Sequence, residues 1–374
     1  METGCTSPSI PVARPKLPDL AALSPYLGRL DEARVYSNHG ALVVALEDRL
    51  SGLLNLPDRH AITCSSGSMA LIGAILAVRD QAGGSAGQVC LMPAYSFVAT
   101  AAAAELCGYR TRLVDVDSET WSLDPGRLSG HPEIARAGLV IAVAPYGRPI
   151  DLEAWQRFHD ETGIPVLIDA AAGFDWFLSG GAALPAGLPV AVSLHATKAF
   201  GCGEGGLILT RDTDLARRCF RAVNHGFLGS RDAVLPGING KMSEYHAAVA
   251  LAELDGWEGK LARMRQVGRQ YRQMWSAAGS AAGRLWATPD ISGCYALFEA
   301  ATPDQARDAA ATLDRAGVDT RFWYGTGLQD HSAYAHLDRD DLSGTADISQ
   351  RLLGLPCYPD LSVDGIERVV TALS

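Results

Sequence analysis

Asp169 closes the apolar run Pro165-Val166-Leu167-Ile168, and Lys198 follows a second such run, Val190-Ala191-Val192-Ser193-Leu194. A carboxylate after consecutive apolar residues is costly unless it meets a positive partner. An amine partly withdrawn from water is more readily neutral, and therefore nucleophilic. The pair suits a carbonyl-bearing heterocycle. The carboxylate keeps a ring nitrogen protonated so that the ring draws electrons from an attached carbon, and the amine forms a Schiff base with the carbonyl. Pyridoxal 5′-phosphate (PLP) has both features. Taken alone, Asp169 reads equally well as a cap of the helix that follows.

Three further groups fit the same ring. Ser65-Ser66-Gly67-Ser68 opens a helical pattern, where small residues and free N–H groups favour a phosphate; by itself it is also a plain helix cap. Phe97, just after a strand, could stack on a flat ring or sit in the core. In Ser193-Leu194-His195-Ala196-Thr197-Lys198 the hydroxyls suit a phosphate or the lysine, and His195 either touches the cofactor or fills a polar gap.

Strands and helices alternate around these residues. Short apolar runs (AITCSS, QVCLMPA, RTRLVDVD, GLVIAVAPYG, PVLIDAAA, VAVSLHA, GGLILTRD) read as strands, most of them buried on both faces. The intervening segments, such as GSMALIGAILAVRD and SFVATAAAAELCG, read as helices. Such alternation predicts an α/β fold with a mostly parallel sheet between helices, and ligands at the carboxyl ends of the strands. Beyond Gly240 a long helical stretch, interrupted near Gly256, leads to a small C-terminal α/β layer with CYALFEAA and VDTRFWY as strands and DQARDAAATLDRAG and DGIERVVTAL as helices. The expected division is an N-terminal arm and helix (1–40), a large cofactor-binding domain (41–250), and a bridging helix with a small domain (251–374).

Composition bounds the function. The 374 residues are 48% hydrophobic and 20% charged, with a net charge of −10, which argues against a general nucleic-acid or anionic-membrane binder. No run approaches the roughly eighteen apolar residues of a membrane span, and the opening METGCTSPSIPVARPKLP lacks a signal-peptide core. A cytoplasmic protein is therefore expected. The eight cysteines show no CxxC pair and no zinc-like spacing, so no metal site is expected; Cys64 and Cys202, near the proposed site, read as packing residues.

At these residues the chain resembles the DegT/DnrJ/EryC1/StrS aminotransferases, fold-type-I PLP enzymes that aminate keto-sugars linked to nucleotides. The resemblance runs over nearly the whole chain and is strongest in SLHATK followed by GEGG. It implies Lys198 as the Schiff-base lysine, Asp169 as partner of the pyridine nitrogen, Phe97 as the stacking ring, and Gly67, Ser68 and Ser193 as phosphate ligands. Asn239 in GINGKMSE matches an asparagine that reaches the neighbouring subunit's cofactor, which implies a homodimer with shared active sites. Family members follow the aspartate, three residues on, with Gln or His; here the residue is Ala172, which puts sugar specificity in doubt more than PLP binding. In RFWYGTGLQDH, Arg321 could meet a carboxylate or phosphate, and Trp323 and Tyr324 could line the pocket; a surface arginine and a domain-interface aromatic pair fit the sequence equally.

The expected reaction is ping-pong transamination, with Lys198 moving the proton as base and acid. The resemblance implies glutamate or glutamine as donor. The expected acceptor is a nucleotide-linked keto-sugar, with a keto-cyclitol or another small biosynthetic carbonyl compound as runner-up. A PLP-dependent lyase, decarboxylase, dehydratase or condensing enzyme could use the same Asp and Lys. A non-catalytic PLP-binding regulator and an α/β protein binding some other phosphate compound are the readings from different classes.

Overall fold

A computed structural model describes residues 9–81, 88–178, 184–279 and 282–374; residues 1–8 of the N-terminal arm, with Cys5, lie outside the described residues. Helices α1 (Leu20–Ala33) and α2 (Ala41–Leu53) precede β1 (Ala61–Cys64), α3 (Gly67–Gln81), β2 (Val89–Pro93), α4 (Val98–Leu106), β3 (Arg110–Val114), α5 (Pro125–Ser129) and β4 (Ala137–Val143). The chain continues through α6 (Leu152–Thr162), β5 (Val166–Asp169), α7 (Phe174–Leu178), β6 (Val190–Ser193), β7 (Gly206–Leu209), α8 (Thr213–Val223), α9 (Glu244–Asp255) and α10 (Trp257–Ala278). It ends with β8 (Gly283–Ala287), β9 (Ala296–Ala300), α11 (Pro303–Arg315), β10 (Asp338–Arg339), α12 (Ser343–Arg351), β11 (Leu352–Leu355) and α13 (Val363–Leu373).

Eight strands form one sheet in the order β1-β7-β6-β5-β4-β2-β3-β10. Every pairing from β6 to β10 is parallel, and β7 runs antiparallel to both β6 and β1. β1 therefore points the same way as β6, and the carboxyl ends of β1, β2, β4, β5 and β6 share one edge. Strands β1, β2, β5, β6 and β7 are buried throughout, because helices cover both faces; this is why they read as unbroken apolar runs. The core is accordingly split into two large apolar clusters.

A second sheet, β11-β9-β8, is antiparallel, and a third apolar cluster forms under it against α10 and α13. The segment VDTRFWY is not a strand. Val318 makes one isolated bridge to Ile10 and Arg321 one to Gly354, so Trp323 and Tyr324 belong to a turn. The segment departs from a ladder as Tyr324 packs on Tyr95 and Tyr146 while Phe322 packs on the cluster under the small sheet. Residues after 251 also return to the large sheet, since β10 pairs with β3.

Two contacts hold the loops at the sheet edge. The backbone N–H of Ser65 donates to Gly240 O (2.7 Å), fixing the turn after β1 to the segment that carries Asn239. The buried Glu244 carboxylate accepts from Leu42 N (2.7 Å) and Val43 N (3.3 Å), supplying the N-terminal cap that Gly40 cannot make for α2.

Candidate active site

A cavity of about 450 Å³ lies at the carboxyl edge of the large sheet. Of the residues singled out from sequence, Gly67, Ser68, Phe97, Asp169, Ser193, His195, Lys198, Arg321, Trp323 and Tyr324 all line it. Asn239 does not. Its side chain is exposed, and its Oδ1 accepts from Lys241 Nζ (2.8 Å) on the outside of its own chain.

Asp169 ends β5 with 5% of its surface exposed. Its Oδ2 accepts from Thr100 Oγ1 (2.8 Å) and its Oδ1 from Ala171 N (3.2 Å), and Thr100 is in turn bonded to Ser96 (2.7 Å). Burial pushes the carboxyl above its usual range; the Thr100 hydroxyl, the Ala171 N–H and the positive charge of Lys198 pull the other way without cancelling it. Asp169 is thus a buried acid that a cation would stabilise.

Lys198 sits in the loop after β6. The loop is tight: Lys198 N donates to His195 O (2.9 Å), Cys202 N to Leu194 O (2.8 Å), and a Cβ on Gly201 would lie 2.9 Å from His195 O. This fixes the direction in which the lysine leaves the backbone. Its Nζ donates to Tyr295 OH (3.0 Å), a residue between β8 and β9 that sequence reasoning did not single out. His195 Nδ1 bonds Thr197 Oγ1 (2.8 Å), so the histidine lines the cavity and also braces the lysine loop.

Helix α3 begins at the cavity. Ser66 Oγ accepts from Met69 N (3.2 Å), so the serine does cap the helix, while the first-turn N–H groups of Gly67 and Ser68 lack intrahelical acceptors. Gly67 is required by space: a Cβ there would stand 2.8 Å from Ser193 Cβ. The turn after β1 and the turn after β6 meet in a cradle of small residues at a helix N-terminus, a geometry suited to phosphate.

The rest of the wall is aromatic. Tyr146 adopts a left-handed backbone (φ 56°), bonds Tyr95 OH through its own hydroxyl (2.8 Å) and stacks on Tyr324 with ring centres 4.7 Å apart. A strained non-glycine residue at a ligand cavity persists only because its surroundings over-determine it. Phe97 lines the cavity and is 58% exposed, and Ala172 is buried. The former alternatives are thereby separated: Phe97 is no core residue, and Asp169 does not cap α7, which begins at Phe174. Cys64 and Cys202 are buried, and burial pushes the Cys202 thiol up to about 12, so both pack rather than react.

An acid short of a cation, an amine, a helix-start cradle and a flat aromatic lip surround one cavity, and this donor set fits PLP. The DegT/DnrJ/EryC1/StrS aminotransferase family model matches residues 24–374. The chain belongs to that family. It is an aminotransferase, and its cofactor is PLP. It is 31% identical to Protein Rv3402c of Mycobacterium tuberculosis over 99% of this chain and 90% of that one. It is 27% identical to a dTDP-4-amino-4,6-dideoxy-D-glucose transaminase of Escherichia coli, with 98% of each chain covered. Among solved structures, DesI in the presence of its TDP-sugar product superposes with a TM-score of 0.84 at 28% identity, covering 98% of this chain and 92% of DesI. No described helix is long and apolar enough to cross a membrane.

The raised pKa of Asp169 has a stability consequence. Above the ordinary value of 3.8 the native protein without cofactor holds a proton that the unfolded chain has released, so this group's contribution falls as pH rises through the raised native value. Asn at this position has no such dependence. Cofactor-free Asp169→Asn should therefore gain thermal stability relative to cofactor-free wild type as pH is raised from the acid range to neutrality, read as the difference in Tm. A difference that does not change with pH would show that Asp169 is not a strained acid.

Proposed function

We propose that this chain moves an amino group from glutamate or glutamine to a keto-sugar carried on a nucleotide, in the cytoplasm, as a homodimer with shared active sites. The single observation that supports it most is the convergence of Asp169, Lys198 and the N-terminus of α3 on one cavity. The acceptor class is supported by the named relatives. The Escherichia coli relative is named for a dTDP-sugar, and another, 28% identical, is named a UDP-2-acetamido-2-deoxy-3-oxo-D-glucuronate aminotransferase of Pseudomonas aeruginosa. The cytoplasm is supported by the seven described cysteines, all free.

In this reading Gly67, Ser68 and Ser193 hold the phosphate, Phe97 covers one face of the ring, and Asp169 holds a proton on the ring nitrogen. When bound, PLP supplies the electron sink that makes the carbon bearing the amino group acidic. Lys198 Nζ, held by Tyr295 OH at 3.0 Å, takes that proton and returns it, as base and then acid. Thr100 keeps the Asp169 carboxylate aimed through its 2.8 Å hydrogen bond. Half-buried Tyr324 faces the sugar ring, backed by the buried Tyr146 that stacks on it. Arg321, whose guanidinium lies 5.1 Å from the Trp323 ring centre, meets the phosphate of the nucleotide.

Acceptors offered to the amino-loaded enzyme should be aminated when they are nucleotide-linked keto-sugars. Arg321→Gln should lower kcat/KM for them by roughly tenfold or more, as for a lost charge-assisted hydrogen bond, while release of keto acid from the amino donor stays unchanged. Amination of free keto-cyclitols alone, or equal loss in both half-reactions, would overturn the acceptor assignment.

The shared site has its own test. Lys198→Ala and Asn239→Ala proteins should each be impaired, and a refolded mixture should recover activity, because a mixed dimer contains one site with both residues intact. A mixture no more active than its parents would place Asn239 outside the partner's site.

A further inference from the structure

A second cavity, of about 310 Å³, opens between the large sheet and the small one. It stands back to back with the first. Gly147 lines it, and a Cβ there would lie 2.4 Å from the carbonyl of Ala172, which lines the catalytic cavity; Ser292 lines it too, and its N–H donates to Tyr146 O (3.0 Å). No step of the transamination uses it.

Helix α10 brings Arg265, Arg269 and Arg272 to its rim, since positions four and seven residues on fall on the same helical face. Gly268 seats the opposite wall against the helix: a Cβ there would lie 2.3 Å from Thr288 Cγ2. Asp175 is the only acid among the described lining residues. Its carboxylate already accepts from Ser292 Oγ (2.8 Å) and Gly293 N (2.7 Å), and it lies in the field of Arg265. That leaves two guanidinium groups over. Arg272 Nη1 is buried without a hydrogen-bond partner, and Arg269 makes no hydrogen bond or ion pair among the described residues.

In a chain with 42 acidic and 32 basic residues, two converging cations without a carboxylate are out of keeping with the surface. A buried donor without a partner calls for a missing acceptor, and guanidinium forks match phosphate oxygens. Trp176, Pro289 and Ile291 supply apolar wall beside them. We propose that this inter-domain cavity binds a phosphate-bearing small molecule, its phosphate held by Arg269 and Arg272 and its apolar part against Trp176. The site is separate from the catalytic cavity and stands whether or not the acceptor is a nucleotide-linked sugar.

The probe is inorganic pyrophosphate, titrated calorimetrically at low salt into the full chain loaded with PLP, so that the α3 cradle is filled. Saturable binding is expected, weakened at least tenfold in Arg269→Gln and in Arg272→Gln, and unchanged in Arg321→Gln. Arg269 is exposed and unpartnered, so Arg269→Gln should keep the wild-type Tm without probe and report on binding alone. A double Arg217→Gln/Arg307→Gln control, exposed and remote in sequence, should bind as wild type. Absence of binding, loss in Arg321→Gln with retention in Arg269→Gln, or equal weakening in the control would each overturn the proposal.

Discussion

Everything in this molecule is arranged around a carboxylate that cannot be left alone. Asp169 ends a strand of a sheet covered on both faces, only 5% exposed at the cavity, where ionisation is penalised. Two hydrogen bonds orient it without neutralising it. In the proposed reading a protonated ring nitrogen of PLP would answer that deficit. Lys198 and the start of α3 line the same cavity, where they would hold the aldehyde and the phosphate. One contact would then supply both binding energy and electron-withdrawing power.

The sheet makes that possible. Strands covered on both faces are apolar throughout, which leaves polar chemistry to the residues just past their ends. Asp169, Lys198, Phe97 and Gly67 all stand at or past such ends: the first two were legible as polar residues after apolar runs, Gly67 as part of a small-residue helix start and Phe97 as a flat aromatic after a strand. The fold class was legible for the same reason. Tyr295 and Thr100 were not. Each acts through a partner distant in sequence, Thr100 on Asp169 and Tyr295 on Lys198, and a hydroxyl in an ordinary strand flank or helix carries no local mark of its partner. Tyr146 left a trace only in the Tyr-Gly turn after β4, whose left-handed backbone is invisible in composition.

The small domain was less legible still. VDTRFWY has the β-branched and aromatic content of a strand, but Tyr324 pairs with Tyr95 and Tyr146, and Trp323 with Tyr295, instead of with a ladder. Tertiary contact overrides propensity where both are available. Ala172 shows the converse. Its small side chain lines the catalytic cavity, and its carbonyl packs against Gly147, whose missing Cβ permits the contact. The wall between the two cavities is thin because both residues are small.

Asp169 is expected to keep the ring nitrogen of PLP protonated. Loading the enzyme with PLP labelled with 15N in the ring and recording the nitrogen chemical shift at mildly alkaline pH tests it most directly. A protonated nitrogen in the wild type and an unprotonated one in Asp169→Ala is the expected result. An unprotonated nitrogen in the wild type, or a protonated one in the variant, would contradict it.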